Sequence, residues 1–473
     1  MQQPDSSFRF HEHRALFASL GVLALISVMV LSEVLFKGIL TGFYIGLAVA
    51  LVFATFLCLL RPRAILYAVL IYLASPVPVL WSPSYSGAIT GILLVNCIAG
   101  VLLTEGLEAF RPFKTRATLW LILAMIAALI YAVLSGNRPG YLLGDFYQIF
   151  EFVSVFVLTR MLIRSEEQWR AVVNVLLGII VATSLMQLAD AVQGADYLPH
   201  LNQFGVDLPR TINLNAPVAF CAIFSLLSVD RRRWKALAAC GVILSVNLVF
   251  GFTRGLWLAT LVSIVFLLLM QHHRARRKAI QYLASLTVVF VLSASVLTLG
   301  SNNFLKIIEE RVVYSVTQYE SASGGEEVLS ARRFIEWVLI GSQMVEHPIA
   351  GKGLGATYEI AGEAVLEGPQ GEQIDFHYIH NLYLLIAFRL GIPALLLFLF
   401  ILWKYFRRSI SNYRSTSFAP ENAALLAGLI AAIFGELVLS MTSPTLLNHP
   451  TGGVLGCIMA LTYFRPEMPG ELP

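Results

Sequence analysis

Charged side chains are scarce in this sequence. They make up 13% of its 473 residues, whereas hydrophobic residues make up 57%, and the mean hydropathy is +0.74. A soluble domain usually carries about 25% charged residues. The shortage therefore excludes a soluble enzyme or scaffold and indicates a protein that crosses a membrane many times. The formal net charge of +4 is what basic cytoplasmic loops produce, so it predicts no nucleic-acid partner.

Metal-binding and disulfide patterns are also missing. The five cysteines lie inside apolar runs and show no CxxC or CxxH spacing. The sequence contains no DxD or HExxH motif, which argues against a zinc site and against a metal site for a sugar nucleotide. We therefore expect no metal and no cofactor.

What the sequence has instead is a series of apolar runs long enough to cross about 30 Å of hydrocarbon. They predict an all-α fold, a polytopic bundle of about fourteen membrane helices. The first run ends in LSEVLFKG and not in a small-residue cleavage motif, so we interpret it as an uncleaved helix and not as a signal peptide. The predicted spans are residues 15–36, 39–60, 64–80, 86–107, 117–135, 142–163, 169–190, 211–229, 234–250, 254–271, 279–300, 382–403, 421–441 and 449–464.

The basic residues predict how the bundle is oriented. If the N-terminus is cytoplasmic, 23 of the 33 Lys and Arg residues fall in the inner connections and 10 in the outer ones. Cytoplasmic loops carry this kind of excess. We expect one integral membrane domain with both termini cytoplasmic: about eleven spans in 1–300, a large outer loop with short interfacial helices at 301–381, and about three spans in 382–473.

Residues 330–347 of the outer loop are predicted to form a helix along the membrane surface, with Ser330 as its N-cap and His347-Pro348 at its end. Arg332 and Glu336 are four apart and are expected to pair on the wet face. The recurring apolar positions are Phe334, Trp337, Val338, Gly341 and Val345.

Arg333 is expected on the flank of this helix, four residues before Trp337. That position puts its guanidinium at headgroup level, where a lipid diphosphate would lie. The alternative is an interfacial arginine that touches ordinary lipid phosphates.

Arg254 lies in the sequence GFTRGLW, where a short outer turn re-enters the membrane. An arginine at helix depth costs about 2.5–3.5 kcal/mol on insertion scales, so it pairs, extends to the interface or serves a function. We interpret Gly255 as opening space for a ligand and Trp257 as anchoring the helix end. Simple extension to the interface is the alternative.

The outer loop continues through GKGLG at 351–355, which we interpret as a turn because no βαβ unit surrounds it. A polar, acidic excursion follows and is expected to be flexible enough to close over a site.

The next span opens at His380 and Asn381, with Tyr383 within one turn. The unperturbed pKa of histidine near 6.5 suits proton removal, although an isolated interfacial histidine is more often a hydrogen-bonded helix start. His377 lies three residues before His380, but no third metal ligand has a fixed spacing to this pair.

The ordered motifs TRGLW, RRFIEW, HPIAGKGLGATY and HNLYLLIAFRLGIPALL resemble the O-antigen ligase and polymerase superfamily, over roughly residues 205–405. The resemblance implies a bundle of membrane helices in the bacterial inner membrane with a large periplasmic loop. It implies glycan transfer from an undecaprenyl-diphosphate carrier without metal or nucleotide.

Carried over by motif, the resemblance assigns catalytic roles to Arg254, Arg333 and His380. Arg332, Asn381 and Tyr383 are expected to contact the substrate. The sequence departs from the family where it reads RTINLNAP, and there Arg210 and Asn215, with Asn213, are expected to bind substrate instead of a GxFxNPN-like stretch.

The resemblance leaves the acceptor open between a growing glycan, a lipid A-core and a protein. Fourteen spans favour a polymerase slightly over a ligase. Membrane lipids surround the protein, and polysaccharide-export or chain-length proteins are compatible partners.

A transporter or flippase of a lipid-linked or small polar substrate is the alternative function. It would use intramembrane polar residues, and Asp145, Gln148, Glu151 and Glu436 are available for that role. They fit equally well as packing partners between helices. No internal repeat relates the two halves of the chain, and the large outer loop favours an enzyme.

Overall fold

The computed structural model describes residues 62–75, 83–106, 116–192, 213–230, 232–251, 254–272, 275–285, 329–358, 377–414 and 418–464. The regular elements of this part of the chain are helices, without a strand. Residues 275–285 are helical. The other elements are α1 Pro62–Ala74, α2 Pro83–Glu105, α3 Arg116–Leu134, α4 Pro139–Leu162, α5 Glu166–Val192, α6 Ala216–Leu227, α7 Trp234–Phe250, α8 Arg254–Met270, α9 Leu329–Met344, α10 Leu382–Leu390, α11 Ile392–Arg414, α12 Pro420–Leu439, a 3-10 turn Thr445–Leu447 and α13 Thr451–Thr462.

Three stretches of the described helices are long and apolar enough to cross a membrane: Pro139–Leu162, Glu166–Ala189 and Pro420–Leu439. Shorter apolar helices accompany them. The predicted all-α fold is confirmed for the described residues. The number of spans stays a prediction, because the runs at 15–36 and 39–60 and most of 279–300 lie outside the described residues.

Helix α12 forms the centre of the bundle and packs most extensively against α8 and α6. Glycines permit the close approach: a Cβ on Gly428 would lie 2.6 Å from the Ala222 Cα in α6. The second large contact joins α4 and α13, where a Cβ on Gly456 would lie 2.6 Å from the Phe152 carbonyl oxygen. In this way the last two helices of the described chain, α12 and α13, are packed against its earlier helices.

The predicted span at 382–403 is wrong as a single helix. The structure divides it into α10, with nine residues, and α11, with 23. Gly391 separates them with a φ of +87°, a conformation that side chains other than glycine rarely adopt. The backbone of Gly391 packs against Ile349, and the Ile392 N–H donates to the Pro348 carbonyl at 2.8 Å. The break therefore binds the end of α10 to the chain that follows α9.

Candidate active site

His380, immediately before α10, is held by the buried carboxylate of Glu336 in α9. Glu336 accepts the His380 backbone N–H on Oε1 at 2.7 Å, and its Oε2 lies 2.7 Å from the His380 Nδ1. The Glu336 side chain is 7% exposed and that of His380 is 40% exposed. Two contacts from one carboxylate fix both the backbone and the ring of His380.

This pairing has a chemical consequence. When Glu336 is ionised it only accepts hydrogen bonds, so the Nδ1 of His380 carries the proton that it shares with Oε2. The acceptor lone pair of the neutral ring is then on Nε2, which has no hydrogen-bond partner among the described side chains. A histidine held in this tautomer can accept a proton at Nε2, and the carboxylate stabilises the imidazolium that forms.

The contact corrects one sequence prediction. Glu336 was expected on the wet face of the surface helix, paired with Arg332. It is instead 6% exposed and lies on the buried face together with Ile340, whereas Val338 and Val345, from the predicted apolar set, are exposed. The physical reason is the tertiary partner: a buried carboxylate is acceptable when donors satisfy it, and His380 supplies two.

Asn381 and Tyr383 have structural contacts in this conformation. The Asn381 side chain caps α10, because its Oδ1 accepts the backbone N–H groups of Tyr383 at 2.9 Å and Leu384 at 3.1 Å. The Tyr383 hydroxyl donates to the Leu437 carbonyl in α12 at 2.8 Å. The predicted role of both in substrate binding stays a prediction.

The start of α10 and the start of α8 meet at the C-terminal end of α12. The Leu382 N–H donates to the Ser440 carbonyl at 2.8 Å. On α8, a Cβ on Gly255 would lie 2.7 Å from the Leu439 side chain and 3.1 Å from the Thr442 hydroxyl. Arg254 is therefore one residue, and His380 two residues, from a position whose backbone contacts the segment 439–442.

These contacts correct the interpretation of Gly255. The space that a side chain would take there is filled by Leu439 and Thr442, so this glycine lets α8 pack closely on α12 and does not open a ligand space. Trp257 does anchor the helix end, since its indole Nε1 donates to the Leu248 carbonyl in α7 at 2.7 Å.

The predicted arginines are located by backbone only. Arg254 begins α8, and Arg332 and Arg333 lie in the first turns of α9, four and three residues before Glu336. Their side chains, and all of Arg210, lie outside the described residues. Ser330, the predicted N-cap, falls inside α9, which begins at Leu329.

The predicted substrate residue Asn215 is 6% exposed and precedes α6. Its side-chain oxygen is buried and has no hydrogen-bond partner among the described residues. Asn213 has a structural role, because its amide group donates to the Ile180 carbonyl at 3.2 Å and to the Ser184 hydroxyl at 2.9 Å.

The GKGLG segment is a turn, as predicted, and the structure shows what holds it. Gly351, Gly353 and Gly355 have φ values of +69°, +89° and +75°. A Cβ on Gly355 would lie 2.5 Å from the Leu142 backbone nitrogen in α4. The turn therefore packs directly on neighbouring backbone, and this close packing accounts for the glycines without a nucleotide.

A buried ion pair lies under this turn. Arg389 in α10 and Asp145 in α4 are each 3% exposed and form a salt bridge. Asp145 also accepts the Gly355 N–H at 2.6 Å, and Arg389 donates to the His377 carbonyl at 2.8 Å. The pair thus anchors both ends of the excursion at 359–376, which lies outside the described residues.

His377 and His380 belong to different environments despite their spacing. The His377 ring stacks on Tyr141 with centroids 4.2 Å apart, and its Nε2 lies 3.2 Å from the Asp145 carboxylate. Among the described residues, no group of three or more His, Cys, Asp or Glu side chains is arranged to hold a metal.

Two of the four polar residues considered for transport are satisfied packing partners. Asp145 is paired as described. Glu151 accepts from the Tyr147 hydroxyl at 2.5 Å, from the His449 Nδ1 at 2.6 Å and from the Gly453 N–H at 3.1 Å. Glu436 differs, because it is fully buried and neither carboxylate oxygen makes a hydrogen bond to a described residue.

Sequence reasoning missed Glu336 as the partner of His380, and it missed the Asp145–Arg389 pair. Each contact joins residues at least 44 positions apart, and a local pattern does not reveal such contacts.

Burial, with the Glu336 carboxylate as the second cause, raises the pKa of the neighbouring Tyr358 to about 12. A neutral phenol therefore lies close to Glu336.

Comparison with known proteins bears on this site. No curated protein matches the chain. Residues 239–399 match the family model described as O-antigen ligase. The match begins in α7 and ends in α11, so it includes Arg254, Arg333, Glu336 and His380. The resemblance to the O-antigen ligase and polymerase superfamily is thus confirmed, and residues 239–399 form the part of this chain that matches the O-antigen ligase family.

Proposed function

We propose that this protein transfers a glycan from an undecaprenyl-diphosphate carrier to an acceptor hydroxyl at the periplasmic surface of the bacterial inner membrane. The observation that carries the proposal is the Glu336–His380 pair, in which the Nδ1 of a partly exposed histidine lies 2.7 Å from a buried carboxylate. The match to O-antigen ligase supports glycan transfer in general. The undecaprenyl-diphosphate donor, the periplasmic side of the membrane and the mechanism go beyond that match and are proposed here.

His380 acts as the general base. The acceptor hydroxyl gives its proton to the Nε2 of His380 while its oxygen attacks the anomeric carbon of the donor. The bond between that carbon and the diphosphate oxygen breaks, and the diphosphate leaves with the electron pair. Glu336 holds the ring in place and offsets the positive charge that develops on it.

Arg254 and Arg333 stabilise the departing diphosphate. Guanidinium groups bind phosphate oxygens through a two-pronged fork and stay charged at any working pH, so two of them can replace a divalent cation. Support for their cooperation comes from the backbone: Arg254 begins α8 beside the 439–442 segment, and Arg333 lies three residues before Glu336.

One direct displacement inverts the anomeric carbon. The stereochemistry of the product therefore tests the mechanism separately from the activity. NMR of the new glycosidic bond is expected to show the configuration opposite to that of the donor, and a retained configuration would exclude direct attack.

The cellular function is tested by deleting the gene and separating lipopolysaccharide and secreted polysaccharide on gels. Loss of long chains from lipid A with accumulation of free polymer indicates a ligase. Loss of long polymer with single repeats retained indicates a polymerase. An unchanged pattern contradicts the proposal.

The side of the membrane is tested with two single cysteines in a cysteine-free background. Ser342 in α9 and Ser411 in α11 are both exposed, and the proposed topology puts them on opposite sides. An impermeant maleimide added to intact spheroplasts is expected to label Ser342→Cys and not Ser411→Cys. The reverse result would invert the topology.

A further inference from the structure

An exposed aromatic ring lies beside His380 and has no part in the mechanism above. Tyr378 is 45% exposed. Its ring and the His380 ring form a T-shaped pair, with centroids 4.8 Å apart and an interplanar angle of 83°. The described residues thus present an open aromatic surface next to the proposed base.

The far end of this ring is held by the segment before α13. The Asn448 side chain donates to the Tyr378 hydroxyl at 3.3 Å. The backbone of Asn448 is fixed in turn, because its N–H donates to the Thr445 carbonyl at 3.3 Å and its carbonyl accepts the Gly452 N–H at 2.6 Å. Tyr378 therefore lies between His380 and a rigid polar group.

A second carboxylate–histidine pair fixes the residue next to Asn448. The Nδ1 of His449 lies 2.6 Å from the Glu151 carboxylate, and the side chains of His449 and Glu151 are 10% and 2% exposed. The three donors to Glu151 are Tyr147 in α4, His449 just before α13 and Gly453 in its first turn, so the carboxylate joins α4 to the start of α13. The position of Asn448 is thus set by a buried network and not by a loop alone.

We propose that the exposed face of Tyr378 is the platform on which a sugar of the acceptor stacks, with its attacking hydroxyl towards His380 and another hydroxyl towards Asn448. This subsite rests on the proposed function, and it narrows the acceptor to a pyranose. It lies partly outside the stretch that matches the O-antigen ligase family, since Asn448 follows residue 399.

The chemistry of the three groups fits a pyranose. The face of an aromatic ring carries negative charge density and attracts positively polarised C–H groups, which one face of a pyranose supplies. The hydroxyls at the edge of the sugar need donors and acceptors, and an amide and an imidazole provide both. A serine or threonine of a protein acceptor has no such face to place on an open ring.

The test measures binding, so it is independent of glycan transfer. The full chain in lipid nanodiscs is mixed with the methyl glycosides of glucose, galactose, mannose and N-acetylglucosamine, and saturation-transfer NMR gives the Kd of each. At least one glycoside is expected to bind, with transfer strongest to the C–H protons of one ring face. Tyr378→Ala and Tyr378→Leu, which fills a similar volume without an aromatic face, are expected to weaken binding by roughly 3- to 10-fold.

The control variants separate this subsite from general surface effects. Trp234→Ala removes an aromatic side chain of similar exposure, 48%, at the start of α7 and is expected to leave the Kd unchanged. Tyr378→Trp keeps an aromatic face and is expected to keep binding. Equal binding by the wild type and Tyr378→Leu, or no binding of any of the four glycosides, overturns the proposal.

Failure of the proposed sugar subsite can be told apart from failure of the proposed glycan transfer. A chain that binds glycosides through Tyr378 but transfers no glycan keeps the sugar subsite and loses the proposed function. A chain that transfers glycan with an unchanged acceptor KM in Tyr378→Leu keeps the function and loses the subsite.

Discussion

The carboxylate of Glu336 lies 2.7 Å from the Nδ1 of His380, although 44 positions separate the two residues. The contact joins α9 to the start of α10, on either side of the glycine turn and the excursion. Because Glu336 is buried and His380 is partly exposed, the proton-accepting ring lies at the protein surface, and the carboxylate that offsets its positive charge lies in the interior.

Replacing Glu336 with Gln is expected to lower kcat for glycan transfer by roughly 100-fold with little change in KM. General-base catalysis contributes about 10²–10⁴ in rate, and the amide neither fixes the Nδ1–H tautomer as firmly nor stabilises the imidazolium. Turnover is measured with purified protein in liposomes. Glu346→Gln is the matched control, since that side chain is 63% exposed, and it should retain full activity. A Glu336→Gln enzyme of normal kcat would contradict the role of the pair.

Replacing Gly355 with Ala is expected to destabilise the protein by more than the roughly 1–3 kcal/mol that a left-handed conformation costs alone. The residue has a φ of +75°, and its Cβ would lie 2.5 Å from the Leu142 nitrogen. Gly136→Ala isolates the conformational cost, because Gly136 has a φ of +71° and no heavy atom within 4 Å of the added Cβ. Thermal unfolding of both variants gives the comparison. Equal losses would show that the turn does not pack tightly on α4.

The buried ion pair predicts a strongly non-additive mutant cycle. Asp145→Leu is expected to cost roughly 3–5 kcal/mol, because it leaves the Arg389 cation buried without its carboxylate. Adding Arg389→Met is expected to recover part of that loss. The exposed pair of Arg170 and Glu421, with side chains 39% and 41% exposed, serves as the control, and Glu421→Gln should cost below about 1 kcal/mol. A double variant less stable than Asp145→Leu would contradict the pairing.

Tyr358 predicts a pH dependence at alkaline pH. Burial, followed by the charge of Glu336, raises its pKa to about 12 from the ordinary value of 10.0. The neutral phenol is therefore favoured in the folded state. Its contribution to stability is complete below pH 10 and is lost as the pH rises from 10 towards 12. The free energy of unfolding of Tyr358→Phe, measured from pH 9 to 12, should decrease less steeply with pH than that of the wild type. Parallel curves would show that the phenol has no raised pKa.

The sequence was sufficient for the features that depend on local patterns. Prolines, apolar spacing and glycines predicted a helix over 330–347, a turn at 351–355 and a helix that opens after His380. The structure has a helix at Leu329–Met344, positive-φ glycines in the turn and a helix that begins at Leu382. The ordered motifs also indicated the resemblance to O-antigen ligase, which the family match over residues 239–399 supports.

The sequence was not sufficient where a distant partner decides the outcome. Glu336 was expected in water because charged residues on a surface helix usually face it, but the two donors of His380 make its burial favourable. The break at Gly391 depends on the approach of Ile349, which no helical pattern shows. The roles of Arg210, Arg254, Arg332 and Arg333 stay predictions, since their side chains lie outside the described residues.

The most direct test of the account is a double-mutant cycle on glycan transfer with His380→Ala, Glu336→Gln and the double variant. Purified protein in liposomes is supplied with an undecaprenyl-diphosphate-linked oligosaccharide, and kcat is measured for each. Because Glu336 acts through His380, the double variant is expected to be as slow as His380→Ala alone, as found for residues that work as one unit. If the two single-variant losses in kcat multiply in the double variant, Glu336 does not act through His380. A His380→Ala enzyme with the wild-type kcat would show that His380 is not the general base.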